Sequence, residues 1–231
     1  MEQYAPRQYV VSLGGSLLFR PDGSVDTPFL EQFCRLVRER VLRGDRFVIT
    51  VGGGRYARVY QEALSALHAT DNERGDWIGI YATRFNAQFV RLLFADLAPG
   101  DIIYDPEAPL PDNSVIIAGG TTPGWSTDYV ATLLGKRVGA ERIINVTNVP
   151  YVYDKDPAQY PDAVAFESLT WDEYGALIPK EWVPGLHAPF DPRGAREAHA
   201  HHIDVCIVGK DIENLRRLLE DGTCVGTHIH A

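Results

Sequence analysis

The sequence predicts an α/β fold, a three-layer α/β/α sandwich around a mostly parallel central sheet. Two observations carry this. Apolar runs of strand length recur along the chain, bounded by glycine, and longer amphipathic stretches lie between them. Alternation of strand and helix builds a parallel sheet with helices on both faces. The 231 residues suffice for one large domain of this class. No repeat, low-complexity tract or convincing linker divides the chain, so one domain is expected over residues 1–231.

Strands are expected at residues 9–13, 47–51, 115–118, 143–146 and 205–208. The first helix follows Asp26-Thr27-Pro28, a capping residue ahead of a proline in the first turn. It places Phe29, Phe33, Leu36, Val37 and Val41 on one face. Further helices are expected over residues 55–68, 77–97, 127–138, 192–202 and 212–219. The proline-rich stretch 106–111 reads as a surface loop. Residues 151–166, rich in Tyr, Asp and Pro, read as a protruding loop or hairpin.

Composition narrows the function. Hydrophobic residues at 45% and charged residues at 23% mark an ordinary globular protein. No apolar run approaches the roughly 20 residues of a membrane span. The polar start shows no secretory or transit signal, so a cytoplasmic location is expected. A net charge of −9 argues against nucleic-acid binding. It leaves room for small anionic substrates in a locally positive pocket. Cys34, Cys206 and Cys224 cannot all pair and match no zinc spacing, which indicates a reducing compartment. His199, His201 and His202 cluster, and 199 and 202 would share a helical face. No carboxylate or cysteine stands at ligand spacing, so a solvated face is expected and no protein metal site.

Ligands of open α/β sheets bind beyond the carboxyl ends of the strands. Three glycine-rich turns occupy that position: Gly14-Gly15-Ser16, Gly52-Gly53-Gly54-Arg55, and the run from Gly119 to Asp128. Glycine lets backbone approach a phosphate, and a helix start offers free N–H donors to an anion. Any one of these turns alone would read as an ordinary tight connection. Neither the P-loop nor the dinucleotide fingerprint is present, so a phosphate enzyme here must use another cradle.

The order VSLGGS, VGGGRYAR, GDWIGIYATRFNA, GGTTPGWSTD, VTNVPYVYDKDP and PFDPRGAR resembles the amino-acid-kinase family. Within it, the chain is most similar to the archaeal and related bacterial type of UMP kinase. The match is collinear from Tyr9 to Gly226-Thr227. The resemblance implies the amino-acid-kinase fold and Mg²⁺-dependent transfer of the ATP γ-phosphate to UMP. It implies an acceptor-binding part over about residues 1–140 and an ATP-binding part over about 141–231. By resemblance, Gly15, Ser16, Gly54, Arg58, Thr147, Asn148, Tyr153 and Asp156 face ATP. Gly53, Asp76, Thr121, Thr122, Pro123, Gly124, Trp125, Ser126 and Thr127 face UMP. Arg58, Asp191 and Ser16 would serve the transfer itself. A homo-oligomer, a hexamer, is implied as well.

Other readings of these residues stay open. Asp76 suits the cap of a helix starting near Trp77, and Asp191 before Pro192 suits an N-cap. Tyr153 suits hairpin packing. Two positions depart from the family pattern: Ser12 stands where many relatives carry lysine, and Pro150-Tyr151 replaces an aspartate-glycine pair. Arg55, Arg58, Lys155, Arg196 and Mg²⁺ are the cations available to offset phosphate charge. Two alternatives follow: a kinase of this fold for another small phosphate, carboxylate or carbamate, or a non-catalytic nucleotide- or oxyanion-binding relative.

Overall fold

Side-chain alternation along short apolar strands decides the layers. The computed structural model describes residues 5–67, 72–180 and 188–231. The strands are β1 (Gln8–Leu13), β2 (Arg46–Val51), β3 (Val115–Ala118), β4 (Arg142–Val146), β5 (Val152–Tyr153), β6 (Ala165–Phe166), β7 (Ser168–Thr170), β8 (Asp204–Val208) and β9 (Gly226–His230). The helices are α1 (Thr27–Val41), α2 (Gly54–Ala66), α3 (Asn72–Leu93), α4 (Thr127–Val138), α5 (Trp171–Leu177), α6 (Pro192–Ala200) and α7 (Ile212–Asp221).

A seven-stranded sheet runs in the order β3-β2-β1-β4-β8-β9-β7. Its first five strands are parallel, β9 runs antiparallel to β8, and β7 runs parallel to β9. Val11, Leu13, Ile49, Val51, Ile117 and Val146 point into one core with α1, α3 and α7. Val10, Val48, Ile116, Ile143 and Val205 point into the other with α4, α5 and α6. Burial on both faces explains why these strands are apolar throughout. The three-layer sandwich expected from the sequence is the fold observed.

Local chemistry sets the helix starts. Asp26 accepts from Phe29 N ahead of Pro28 in α1, Ser126 accepts from Tyr129 N in α4, and Asp191 accepts from Gly194 N ahead of Pro192 in α6. The stretch 151–166 forms the small β5–β6 hairpin.

Three expectations need correction. The helix expected over 77–97 starts by Asn72 and ends at Leu93, because Phe94 and Leu97 turn into i to i+3 hydrogen bonds. Asp76 therefore lies inside α3 and does not cap it. The helix expected to reach 202 ends at Ala200, and His202 has φ 55°, so His199 and His202 share no helical face. The helix expected over 55–68 forms as α2, and His68 lies outside the described residues.

One ion pair ties the amino edge of the sheet to the helices. Arg40 and Asp45 are each 1% exposed, with Nε donating to Oδ2 at 2.7 Å. Arg40 Nη2 also donates to the Tyr9 hydroxyl, which donates to Leu219 O, and Asp45 accepts from Arg7 N. The pair thus joins the end of α1, the start of β2, β1 and α7. Removing one partner of a buried pair strands a charge, at a cost of about 3–5 kcal/mol. Asp45→Ala should lower unfolding stability by that amount, read from the urea midpoint, and Asp45→Asn by less. An unchanged midpoint in the alanine variant would refute this anchor.

Candidate active site

The parallel strands bring the three glycine turns to one edge. Two of them touch backbone to backbone. A Cβ on Gly15 would lie 2.1 Å from Gly52 O, and one on Gly54 would lie 2.4 Å from Gly15 C. Gly54 also has φ +62°, a left-handed value that favours glycine. Gly52 N donates to Leu13 O and Gly14 N to Val146 O, stitching β2, β1 and β4 together just above their ends. Gly15 and Gly54 are therefore required by packing, independent of any ligand. Gly53 precedes α2 and lies against Ala57 and Thr83. Asn86, buried in α3, donates to the carbonyls of Gly52 and Gly53 and holds the second turn from beneath. The sequence reading gave Asn86 no role. A polar amide within an apolar helix stripe was the available signal.

The third turn is gripped by α3. Asp76 Oδ2 accepts from Gly124 N at 2.7 Å, and Thr83 Oγ1 accepts from Gly120 N at 2.7 Å. Arg84 donates to the carbonyls of Gly120 and Thr121, with its guanidinium over Tyr104. Burial raises the Asp76 carboxyl above its usual range, opposed by the Gly124 N–H. The Thr121 hydroxyl is buried without a hydrogen bond to any described residue. The turn holds Thr121, Thr122, Pro123, Gly124 and Trp125, then Ser126 as cap and Thr127 at the start of α4.

Where the family lysine would stand lies a pair of carboxylates, Asp191, expected from the sequence, and Asp128, which had no assigned role. In the sheet register, Thr50, Ser12 and Asn145 sit side by side on the α4 face. Ser12 Oγ donates to Asp128 Oδ1 at 2.7 Å, and Asp191 N donates to Asp128 Oδ2 at 3.3 Å. Asp191 spends Oδ1 on Gly194 N, while its buried Oδ2 accepts no hydrogen bond from a described residue. Burial raises the Asp128 carboxyl to about 6. The Ser12 hydroxyl opposes the rise, and the Asp191 charge adds to it. Burial also raises Asp191. Asp128 stood in plain sight inside GGTTPGWSTD, but only the folded chain shows it meeting Ser12 and Asp191.

The remaining residues divide. Asn148 Nδ2 donates to Ser16 Oγ, joining the first turn to the segment after β4, where Thr147 N binds Val208 O. Tyr153 packs edge-on to Tyr151 in the hairpin. Asp156 is exposed, and its two oxygens accept from Ala158 N and Gln159 within its own loop. Arg58 is exposed on α2, and its side chain has no hydrogen bond or ion pair with a described residue. The other cations are engaged. Arg55 donates to Pro21 O, Lys155 pairs with Asp162, and Arg196 donates to Lys180 O. Among the described residues, no group of three or more His, Cys, Asp or Glu is placed to hold a metal.

A carboxyl raised in the folded state holds a proton that the unfolded chain has released. Its contribution to stability is therefore lost as pH rises from the unfolded value of 3.8 to about 6. Relative to Asp128→Asn, the wild-type protein should lose up to about 1.4 kcal/mol of stability per pH unit across that window. Urea unfolding at pH 4, 5, 6 and 7 measures the difference. A flat difference would show that folding leaves the Asp128 carboxyl with its unfolded-state proton affinity and would refute the raised value.

Residues 7–209 match the model of the amino acid kinase family. The chain is 35% identical over 227 residues to a uridylate kinase of Thermoplasma acidophilum, with 95% of each chain covered. It is 31% identical over 225 residues to one of Methanobrevibacter smithii, covering 95% of this chain and 97% of the other. The crystal structure of uridylate kinase from Archaeoglobus fulgidus superposes with a TM-score of 0.77 at 30% identity, covering 96% of this chain and 99% of that one. An aspartate kinase from Synechocystis, at 17% identity and TM-score 0.69, shares the fold and is covered over 40% of its own length. Fold, turn order and sequence together establish that the chain belongs to the amino acid kinase family.

Proposed function

We propose that this protein transfers the γ-phosphoryl group of ATP to UMP, giving ADP and UDP by direct in-line attack. The observation that carries the reading is the meeting of three glycine turns and the Asp128–Asp191 pair at one sheet edge. The near full-length similarity to archaeal uridylate kinases names the acceptor. Phosphoryl transfer needs positioning and charge stabilisation more than covalent help from the protein. In this reading the third turn and Asp76 bind UMP. Gly15, Ser16, Gly54, Thr147, Asn148, Tyr153 and Asp156 surround ATP. The acceptor part spans about residues 1–140 and the donor part about 141–231.

Asp76 suits the ribose because Gly124 N uses one of its oxygens and the other remains to accept from a hydroxyl. Mg²⁺ would arrive with ATP, held chiefly by the phosphates, and its charge would offset theirs. Asp128 and Asp191 offer hard oxygen donors that suit it, and Asp191 Oδ2, which accepts no hydrogen bond from a described residue, is the atom such a cation would satisfy. Arg58, exposed one turn into α2 and without a hydrogen bond or ion pair among the described residues, would grip phosphate oxygens in place of the missing lysine. Exposed Tyr60, Tyr81, Phe85 and Leu92 on α2 and α3 favour self-association, in keeping with a hexamer. Pyrimidine nucleotide synthesis in the cytoplasm is the setting this reading implies.

Asp76→Asn keeps an oxygen for Gly124 N but loses the charge. It should weaken UMP by about 1–3 kcal/mol and leave ATP nearly untouched, read from the two Michaelis constants. An unchanged UMP constant would reject the ribose role. Arg58→Ala should lower turnover about 10²-fold or more, the scale of one preorganised electrostatic contact. Arg58→Lys should recover part of that loss, and both variants should unfold with wild-type midpoints. Near wild-type turnover in Arg58→Ala, in a coupled ADP-release assay over a panel of acceptors, would show that the charge is offset elsewhere.

A further inference from the structure

We infer that Arg193 is a positioning residue that latches the acceptor turn onto α6 and thereby sets affinity for the acceptor. The inference rests on the reading of residues 119–127 as the acceptor site. The Arg193 guanidinium carbon lies 4.4 Å from the Tyr129 ring centroid and 5.6 Å from that of Trp125. The two rings meet edge to face, with centroids 5.1 Å apart and planes at 87°. One guanidinium therefore contacts both rings, an arrangement its delocalised charge favours. Nη1 also reaches Gly124 O at 3.5 Å.

The base of the latch is rigid. Asp191 caps α6 through Gly194 N at 2.6 Å. A Cβ on Gly194 would lie 3.3 Å from Tyr129 N and 3.4 Å from Asp128 C, so α4 and α6 abut at their first turns. Arg193 sits between these two fixed residues. Among the described residues, the turn is also fastened from the opposite side: Asp76 accepts from Gly124 N, Thr83 accepts from Gly120 N, Arg84 donates to the Gly120 and Thr121 carbonyls, and Gly119 N donates to Ile103 O. Gly124 is thus held by its N–H from α3 and by its carbonyl from α6. Its φ of +82° marks the tip of the turn. The latch also joins the acceptor part of the chain to the helix that carries Asp191. An ordered turn loses less freedom when the acceptor binds, and affinity rises accordingly. Arg193 itself is exposed, so the fold does not depend on it.

Two measurements on the full chain test this. Initial rates should show the UMP Michaelis constant of Arg193→Ala raised about five- to thirtyfold, with that of ATP within about twofold. Arg193→Lys should recover part of the loss. Combining Arg193→Ala with Trp125→Ala should raise the constant little beyond the larger single effect, because the two side chains act through one contact. Hydrogen exchange of the unliganded protein should be faster across residues 119–127 in Arg193→Ala, with the unfolding midpoint unchanged. A UMP constant within twofold of wild type, equal rises for both substrates, or a double variant that multiplies the single effects would each overturn the latch. Should UMP not be the acceptor, the exchange contrast decides alone: faster exchange in Arg193→Ala upholds the latch and equal exchange overturns it.

Discussion

The backbone of the first glycine turn rests directly on the backbone of the second, and the site is arranged around that contact. Gly15 and Gly54 approach so closely that no side chain fits between them. The contact sets the spacing of β1 and β2 at their carboxyl ends and fixes where α2 begins. From there α2 carries Arg58, and the first turn carries Ser16 across to Asn148. A glycine at a phosphate cradle is usually explained by the ligand. Here the turns need it to pack at all, and ligand access comes as a consequence of the same bare backbone.

Charge is the second constraint. Half-buried Asp128 and buried Asp191 share a corner beside Ser12, and among the described residues no ammonium or guanidinium bonds to either. Like charges in poor solvent favour protonation or a cation. A corner of that kind is costly for an empty protein and suited to one that receives a metal–polyphosphate complex. This electrostatic poise fits a working transferase better than a passive binding relative.

Helix α3 links the second and third glycine turns. Asn86 supports the second turn, while Asp76, Thr83 and Arg84 hold the third. One rigid element thus positions both walls of the proposed acceptor site. The buried Arg40–Asp45 pair does comparable work at the opposite edge of the sheet, far from the chemistry. Arg193 adds a weaker, solvent-exposed restraint from α6, where adjustment on binding costs little.

The sequence by itself determined the layers, the five parallel strands and most helices, because continuous apolar runs of strand length and period-3.6 apolar faces are local patterns. It also determined the glycine turns and the family they resemble. Short elements escaped it: β7 has three residues, and β9 has only Ile229 as a fully buried large apolar side chain. Both depend on neighbouring strands for their hydrogen bonds. Asp76 shows the limit at the site. Its type and position were legible, but a helix start five residues from where local signals place it moved the residue from cap to clamp. Ser12, Asp128 and Asp191 are separated by 116 and 63 residues in the chain. No local pattern encodes their meeting. Only the sheet register and the close packing of α4 on α6 bring them within hydrogen-bonding distance.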